Sequence, residues 1–219
     1  MSKTDCRGGV NPPANDKTIV GAGSTRPKAS HFFAYISKMK YINRWNIMRN
    51  TEKENIAEHT CQCAQIAHAL CMINNKIFSG NINAEKVAVL ALFHEVSEVI
   101  TGDLATPVKY YNPEIKTAYK QIESIAQDKL LNMLPKELAG EYAKIVKADA
   151  DSIEYRFVKA ADKLCAYIKC LEELKAGNNE FLQAKNKIYS QLAANPLPEV
   201  KYFMGNFIES FNLTLDELN

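Results

Sequence analysis

Signals that begin and end helices follow one another from residue 31 to the C-terminus of this chain. Asn83 and Asn112 stand where a helix N-cap is expected, and Pro113 occupies a first helical position. Gly102 and Gly177 stand where a helix would end. No segment alternates apolar and polar residues for long enough to indicate a strand. The sequence therefore predicts an all-α fold, a bundle of about seven to nine helices.

Apolar residues recur three and four positions apart, which places them on one face of each predicted helix. In the first segment this stripe comprises Phe32, Tyr35, Ile36, Met39 and Ile42. In the helix predicted over 56–76 the inward residues are Ile56, Cys63, Ile66, Ala67 and Leu70. Further helices are predicted over 83–102, 112–134, 135–146, 152–177, 178–194 and 197–211.

The length of 219 residues suffices for one domain with an appendage. The segment 1–30 is rich in Gly, Pro, Ser, Thr and Asn and lacks aromatic residues. Such a segment cannot bury enough surface to offset its ordering entropy. We expect a flexible N-terminal tail over 1–30 and a single domain over 31–219.

Overall charge and hydropathy exclude several classes of function. The net charge of +2 is too small to indicate binding to a nucleic acid polymer. No apolar run reaches the ~18 residues that indicate a membrane span, and the N-terminus lacks the pattern of a secretory signal. We therefore expect a cytoplasmic protein with no membrane partner.

The cysteines match neither a zinc ribbon nor a disulfide framework. Cys61 and Cys63 point about 200° apart on a helix that turns ~100° per residue, so these two are not expected to share a metal. We interpret all the cysteines as reduced thiols that pack as small apolar side chains and have no catalytic role. They are Cys6, Cys61, Cys63, Cys71, Cys165 and Cys170.

The stretch ALFHEVSEVITGD, residues 91–103, places polar groups at the end of an apolar run. His94 and Glu98 would share one face of a continuous helix, with Glu95 at the edge of that face. Buried polar groups are costly unless they are paired or bind a metal. Both a metal site and an exposed helix end with solvated carboxylates fit this segment. The HExxH motif of zinc proteases does not fit, because Glu98 replaces its second histidine.

Two further residues have the side chains of metal ligands. His59 lies beside Glu58 near the start of a helix, and Asp162 interrupts an apolar helical stretch. A carboxylate among apolar residues needs a cation, either a metal ion or a lysine such as Lys159 or Lys163. The residues by themselves leave both alternatives open.

A histidine, a histidine–acid pair and an aspartate on separate helices resemble the pattern of HD-domain metal phosphohydrolases. The resemblance is greatest to the bacterial HD-domain 5′-deoxynucleotidases of YfbR type. It rests on SHFFAYISKMKYINRWNIMRN, ENIAEH, HEVSEVITGDLATPVKYYN, KAADKLCAYIKCLEEL and AGNNEF, from about Ala29 to the C-terminus. The resemblance implies removal of the 5′-phosphate from deoxyribonucleoside 5′-monophosphates, and a homodimer.

The resemblance also implies one divalent metal ion, such as Co²⁺, Mn²⁺ or Zn²⁺. The positions that correspond to its ligands are His59, His94, Glu95 and Asp162. Glu98 corresponds to the catalytic acid or base that activates water.

Residues that bind the substrate are implied in the same way. Arg44 and Trp45, in INRW, correspond to residues that hold the phosphate and pack on the sugar. Asp103, in TGD, corresponds to the residue that recognises the sugar 3′-hydroxyl. Thr106 and Lys109 lie in the segment that follows and are expected to line the pocket.

One position departs from the family pattern, which has His-Asp where this chain has His94-Glu95. Glutamate keeps the carboxylate but is one methylene longer, and ligand distances of ~2.0–2.2 Å leave little slack. We expect metal binding to survive with altered affinity or metal preference. Two alternatives stay open: a phosphohydrolase acting on another nucleotide, such as a deoxynucleoside triphosphate or a signalling nucleotide, and a non-catalytic nucleotide-binding homologue inactivated by Glu95.

Overall fold

The computed structural model describes residues 29–109 and 111–218. Most of the tail predicted over 1–30, including Cys6, therefore lies outside the described residues. Within the described ranges the fold is all-α, as predicted, and the extended pairing is limited to an isolated antiparallel bridge between Asn43 and Asn55. No helix in this part of the chain is long and apolar enough to cross a membrane.

The described chain contains seven α-helices of nine or more residues, together with shorter helical segments. The α-helices are α1 (Phe32–Ile36), α2 (Ile56–Ile77), α3 (Ala84–Phe93), α4 (Glu98–Thr101), α5 (Thr106–Lys109), α6 (Pro113–Leu131), α7 (Lys136–Val146), α8 (Ile153–Lys175), α9 (Leu182–Ala193) and α10 (Pro198–Asn206). Turns of 3₁₀ helix occur at Met39–Tyr41, Asn179–Phe181, Ile208–Asn212 and Leu215–Leu218. The two C-terminal helices are therefore shorter than predicted, because each predicted range includes a 3₁₀ turn.

Four of the longer helices begin at a side-chain cap. The side chains of Asn83, Asn112 and Ser152 each accept a hydrogen bond from the backbone N–H three residues further on. Asn55 caps α2 in the same way, although its cap was not predicted. Gly177, with φ of +83°, follows the end of α8, where a residue with a side chain would be strained.

The continuous helix predicted over 83–102 is wrong. α3 ends at Phe93, α4 begins at Glu98, and turns occupy 94–97. The ring of His94 contacts the carbonyl oxygen of Ala91 at 2.7 Å, so it takes the acceptor that residue 95 would use in a continuous helix. The backbone N–H of Glu98 then donates to the carbonyl of Glu95, only three residues back.

The core lies between α2, α3 and α8, with α9 and α10 packed against it. Every residue predicted to face inward on α2 is buried. A second cluster contains Phe32 and Met39 of the first apolar stripe together with residues of α6 and α7. The prediction of buried thiols is confirmed for Cys63, Cys71, Cys165 and Cys170, but it is wrong for Cys61, which is exposed.

Candidate active site

Four predicted metal ligands meet where α2, the end of α3 and α8 approach one another. One ligand atom from each of His59, His94, Glu95 and Asp162 lies within 4.8 Å of the others. The Nε2 atom of His59 is 3.3 Å from Asp162 Oδ1 and 3.7 Å from Glu95 Oε1. The Nε2 atom of His94 is 3.6 Å from the same Glu95 oxygen. Residues far apart in the sequence thus form one cluster of nitrogen and oxygen donors.

His94 is held in the tautomer that suits a metal ligand. Its Nδ1 atom lies 2.7 Å from the carbonyl oxygen of Ala91, and a carbonyl oxygen can only accept. Nδ1 therefore carries the proton and Nε2 carries the lone pair that faces Glu95. Burial lowers the pKa of His94 to about 4, so the ring is neutral at physiological pH.

Glu54, which lies just before α2, contacts three members of the site. Its Oε1 is 3.4 Å from Nδ1 of His59, and its Oε2 accepts a hydrogen bond of 3.1 Å from Nε1 of Trp45. The same Oε2 is 3.6 Å from Nε of Arg44. A carboxylate at the outer nitrogen of a histidine orients the ring and raises its basicity. Sequence reasoning missed Glu54, because nothing local distinguishes it from other acidic residues in a polar loop.

The donor atoms fit a divalent cation. In the described chain, Nε2 of His59 and Nε2 of His94 are buried without a hydrogen-bond partner, and both lie near Oε1 of Glu95. Burial disfavours a charge on His59, but Glu95, Asp162 and Glu54 outweigh burial and raise its pKa to about 10. The cluster therefore attracts positive charge, and a proton takes that role where no metal is present.

Glu98 lies beside this cluster at the start of α4. Only 7% of the residue is exposed, and its Oε2 has no hydrogen-bond partner in the described part of the protein. Burial, together with the charges of Glu95 and Asp103, raises the pKa of Glu98 to about 9. The carboxyl group therefore carries a proton at neutral pH in the metal-free protein.

Arg44 places a buried guanidinium group against the same cluster. Its backbone N–H donates to the carbonyl of Glu54 at 2.9 Å, which fixes the INRW segment beside the start of α2. Nη1 lies 3.5 Å from Glu95 Oε2, and Nη2 lies 3.8 Å from Asp162 Oδ1. Burial opposes the charge of Arg44, yet these carboxylates raise its pKa above the ordinary value. Nη1 has no hydrogen-bond partner among the described residues, so this buried N–H is available to an anion.

The predicted sugar-binding residues lie on two loops that contact each other. Trp45 has a φ of +55°, a conformation that is costly for a bulky residue. The centre of its ring lies 5.3 Å from the centre of the Phe181 ring. Nδ2 of Asn46 donates a 2.8 Å hydrogen bond to the carbonyl of Asp103. The INRW and TGD segments are therefore joined, although 57 residues separate Asn46 from Asp103.

The other two predicted pocket residues lie on α5. Thr106 is exposed. Nζ of Lys109 donates to Glu123 on α6 at 2.8 Å and lies 4.5 Å from the centre of the Tyr119 ring. These contacts hold Lys109 against α6, and its contribution to the pocket stays a prediction.

Comparison with known proteins identifies the family. The model of the 5′-deoxynucleotidase YfbR-like family matches residues 31–211. A 5′-deoxynucleotidase of Yersinia pseudotuberculosis is 54% identical over 191 residues, which are 87% of this chain and 97% of that protein. A 5′-deoxynucleotidase of Yersinia pestis (strain Pestoides F) matches with the same identity and coverage.

Solved structures share the fold at lower identity. An HD-domain phosphohydrolase from Listeria innocua has a TM-score of 0.73 at 21% identity, covering 83% of this chain and 88% of that chain. An HD phosphohydrolase of cyanophage S-2L, bound to dA and one catalytic Zn²⁺ ion, has a TM-score of 0.56 at 19% identity, covering 81% and 96%. Given its fold, its clustered donors and the extent of these matches, the chain belongs to the YfbR-like family of 5′-deoxynucleotidases.

Proposed function

We propose that this protein is a metal-dependent phosphohydrolase that converts deoxyribonucleoside 5′-monophosphates to deoxynucleosides and phosphate. The observation that carries the proposal is one cluster of four candidate ligands, with buried and unpaired histidine nitrogens, that also faces Arg44 and Glu98. The activity named for relatives that are 54% identical over most of the chain supports the same reaction.

We propose that His59, His94, Glu95 and Asp162 hold one divalent metal ion. Two neutral imidazoles and two carboxylates would balance the charge of the ion, so the site could still accept an anionic phosphate. A divalent ion supplies polarisation of a phosphoryl oxygen and a bound water of lowered pKa. Zn²⁺, Co²⁺ and Mn²⁺ are the candidates, and one structural neighbour is bound to a catalytic Zn²⁺ ion.

Arg44 and Glu98 have complementary tasks in this proposal. The planar guanidinium of Arg44 donates to phosphate oxygens and orients the phosphoryl group. Glu98 holds a proton at its carboxyl group, which it can deliver to the leaving 5′-oxygen. The resulting carboxylate can then accept a proton from water. Uncatalysed hydrolysis of phosphate monoesters is extremely slow, so the reaction needs both positioning and proton transfer.

Selection of the deoxy sugar depends on the joined INRW and TGD loops. We propose that Trp45 forms a rigid wall on the sugar and that Asp103 accepts a hydrogen bond from its 3′-hydroxyl. Shape alone rejects the added 2′-hydroxyl of ribose by only ~10²-fold, whereas the hydrogen bond between Asp103 and the 3′-hydroxyl discriminates more strongly against sugars that lack that hydroxyl. Thr106 and Lys109 complete the pocket in this arrangement.

Phosphate release from dAMP, AMP and dATP tests the proposal, with Co²⁺, Mn²⁺, Mg²⁺ or Zn²⁺ added in turn. We expect dAMP to be the best substrate and Glu98→Gln to lower kcat by about 10²–10⁴-fold, with unchanged metal content. A preference for dATP would favour the alternative of another nucleotide. Bound metal without release from any nucleotide would favour the non-catalytic alternative.

We also propose a homodimer, a cytoplasmic location and an HD domain over 31–219 preceded by a tail over 1–30. The family resemblance supports the homodimer, and the family match over 31–211 supports the domain boundary. Light scattering after gel filtration measures the assembly directly, against a chain mass of 24.6 kDa.

A further inference from the structure

A second set of donors shares the two histidines of the proposed metal centre. His59 Nε2 or Nδ1, Cys63 Sγ and a ring nitrogen of His94 lie within 4.8 Å of one another. Cys63 is one turn after His59 on α2, so the thiol and the imidazole share a face of the helix. The thiol donates to the Val158 carbonyl at 3.9 Å, which is a weak contact, and it also interacts with the thiol of Cys165.

The two donor sets differ in depth. Glu95 and Asp162 have side chains that are 16% and 22% exposed, so they form the outer set. Cys63 is fully buried, so the set that contains it is less exposed than the carboxylates. Both ring nitrogens of His59 and Nε2 of His94 are buried and lack hydrogen-bond partners in the described chain, so each histidine has a nitrogen available to an ion.

The two sets also differ in chemical softness. Carboxylate oxygens suit Mg²⁺ and Mn²⁺, whereas a thiolate selects softer ions, and Zn²⁺ readily takes mixed nitrogen and sulfur ligands. We propose that Cys63 is a metal ligand of this site and that it gives the protein a preference for thiophilic ions such as Zn²⁺ and Cd²⁺. The thiol proton leaves to solvent as the metal–sulfur bond forms. This inference rests on the proposed metal centre but not on the identity of the substrate.

Cadmium binding, followed by the ultraviolet charge-transfer band of a cadmium–thiolate bond, tests the proposal directly. Cys6 and the exposed Cys61 are first replaced by serine, so that they do not contribute to the band. Cys63→Ser is then compared with Cys71→Ser in this background, because Cys71 is a buried thiol two turns further along α2. Binding of Mn²⁺ is measured on the same proteins by electron paramagnetic resonance.

We expect the band to vanish in Cys63→Ser and to persist in Cys71→Ser. Affinity for Cd²⁺ should fall at least about tenfold in Cys63→Ser, while affinity for Mn²⁺ changes less than about threefold. Circular dichroism confirms that each variant folds, and Cys63→Ala provides a second test if the serine variant does not.

Two results would overturn the inference, and they differ in what they imply for the proposed function. Cadmium bound without a thiolate band, with release of phosphate from dAMP intact, would reject Cys63 as a ligand and leave the function standing. Absence of any metal binding would remove the metal centre, and with it both the inference and the proposed function.

Discussion

At the scale of single residues, the position of Glu95 decides whether its longer side chain still reaches the candidate metal centre. Its Oε1 is 3.6 Å from Nε2 of His94 and 3.7 Å from Nε2 of His59. Its other oxygen is 3.5 Å from Nη1 of Arg44. The longer side chain thus lies between both histidines and the arginine, so the extra methylene does not remove the carboxylate from the cluster.

Shortening the side chain of Glu95 tests the effect of its length on metal binding, and removing it tests the need for the carboxylate. We expect Glu95→Asp to keep metal affinity within about tenfold, because the carboxylate remains, and Glu95→Ala to lower it by at least about 100-fold. Calorimetric titration with Zn²⁺ and Co²⁺ measures both affinities. Wild-type affinity in Glu95→Ala would show that Glu95 is not a ligand.

Replacing Glu54 tests whether a residue that contacts a candidate ligand, without being one, affects the affinity for metal. We expect Glu54→Gln to weaken metal binding by about 10–100-fold, because the charge that orients His59 is lost. Glu52→Gln is the matched control, since Glu52 is an exposed glutamate in the same loop. Metal titration of both variants is the measurement, and equal affinities would contradict a role for Glu54 in positioning His59.

At the scale of helices and loops, the features that could be predicted are those that depend on residues close together in the sequence. The caps at Asn83 and Asn112 were predicted, because a capping side chain bonds only three residues away. The break after α3 was not predicted, because the ring of His94 competes with a backbone amide for the carbonyl oxygen of Ala91. The contacts of Glu54 could not be predicted from the sequence either, since its partners are side chains that only the folded loop brings together.

The AGNNEF segment shows the same limit. Its sequence supported the family resemblance but did not reveal its contacts. Asn178, in this segment, donates to the carbonyl of Arg49 and to the carboxylate of Glu173 on α8. The same carboxylate accepts hydrogen bonds from Lys169 and from the backbone and hydroxyl of Thr51. These bonds attach the loop after INRW to α8, and they therefore hold the segment that carries Arg44 and Trp45.

Removing the Glu173 carboxylate should destabilise the fold. Lys169 and Glu173 are both buried, and breaking a buried ion pair from one side costs about 3–5 kcal/mol. We expect a loss of that size in the free energy of unfolding of Glu173→Ala, measured by urea denaturation. Glu172→Ala, at an exposed neighbouring position, is the control and should change stability by less than about 0.5 kcal/mol.

The same carboxylate makes the fold sensitive to acid. Burial raises the pKa of Glu173, but hydrogen bonds from Lys169, Thr51 and Asn178 outweigh burial and hold the pKa well below its ordinary range. A lowered pKa in the folded state stabilises the protein above the unfolded-state pKa, and this stabilisation is lost as the pH falls. Glu173→Gln should therefore show a weaker loss of stability between neutral and acidic pH than the wild type. An unchanged slope would assign the acid sensitivity to other groups.

At the scale of the whole molecule, the candidate metal centre joins the helices that form the core. His59 belongs to α2, His94 and Glu95 follow α3, and Asp162 belongs to α8. These helices form the central packing of the domain. The four candidate ligands are brought together only when this packing is complete, so the unfolded chain has no equivalent site. Metal binding and folding should therefore be coupled.

This coupling predicts that the metal raises thermal stability. A ligand that binds only the folded state adds about 2.7 kcal/mol at 100 times its Kd, which corresponds to about 5–10 °C in Tm for a chain of this size. We expect that increase on adding Zn²⁺ or Co²⁺ to metal-free protein, and its reversal by a chelator. Asp162→Asn should abolish the increase, because it removes a charged ligand while keeping the shape of the side chain. Asp151→Asn, at an exposed position before α8, should keep it. Differential scanning fluorimetry measures Tm in each case. An equal increase in both variants would mean that the ion binds elsewhere, so the proposed metal centre would not be coupled to folding of this domain.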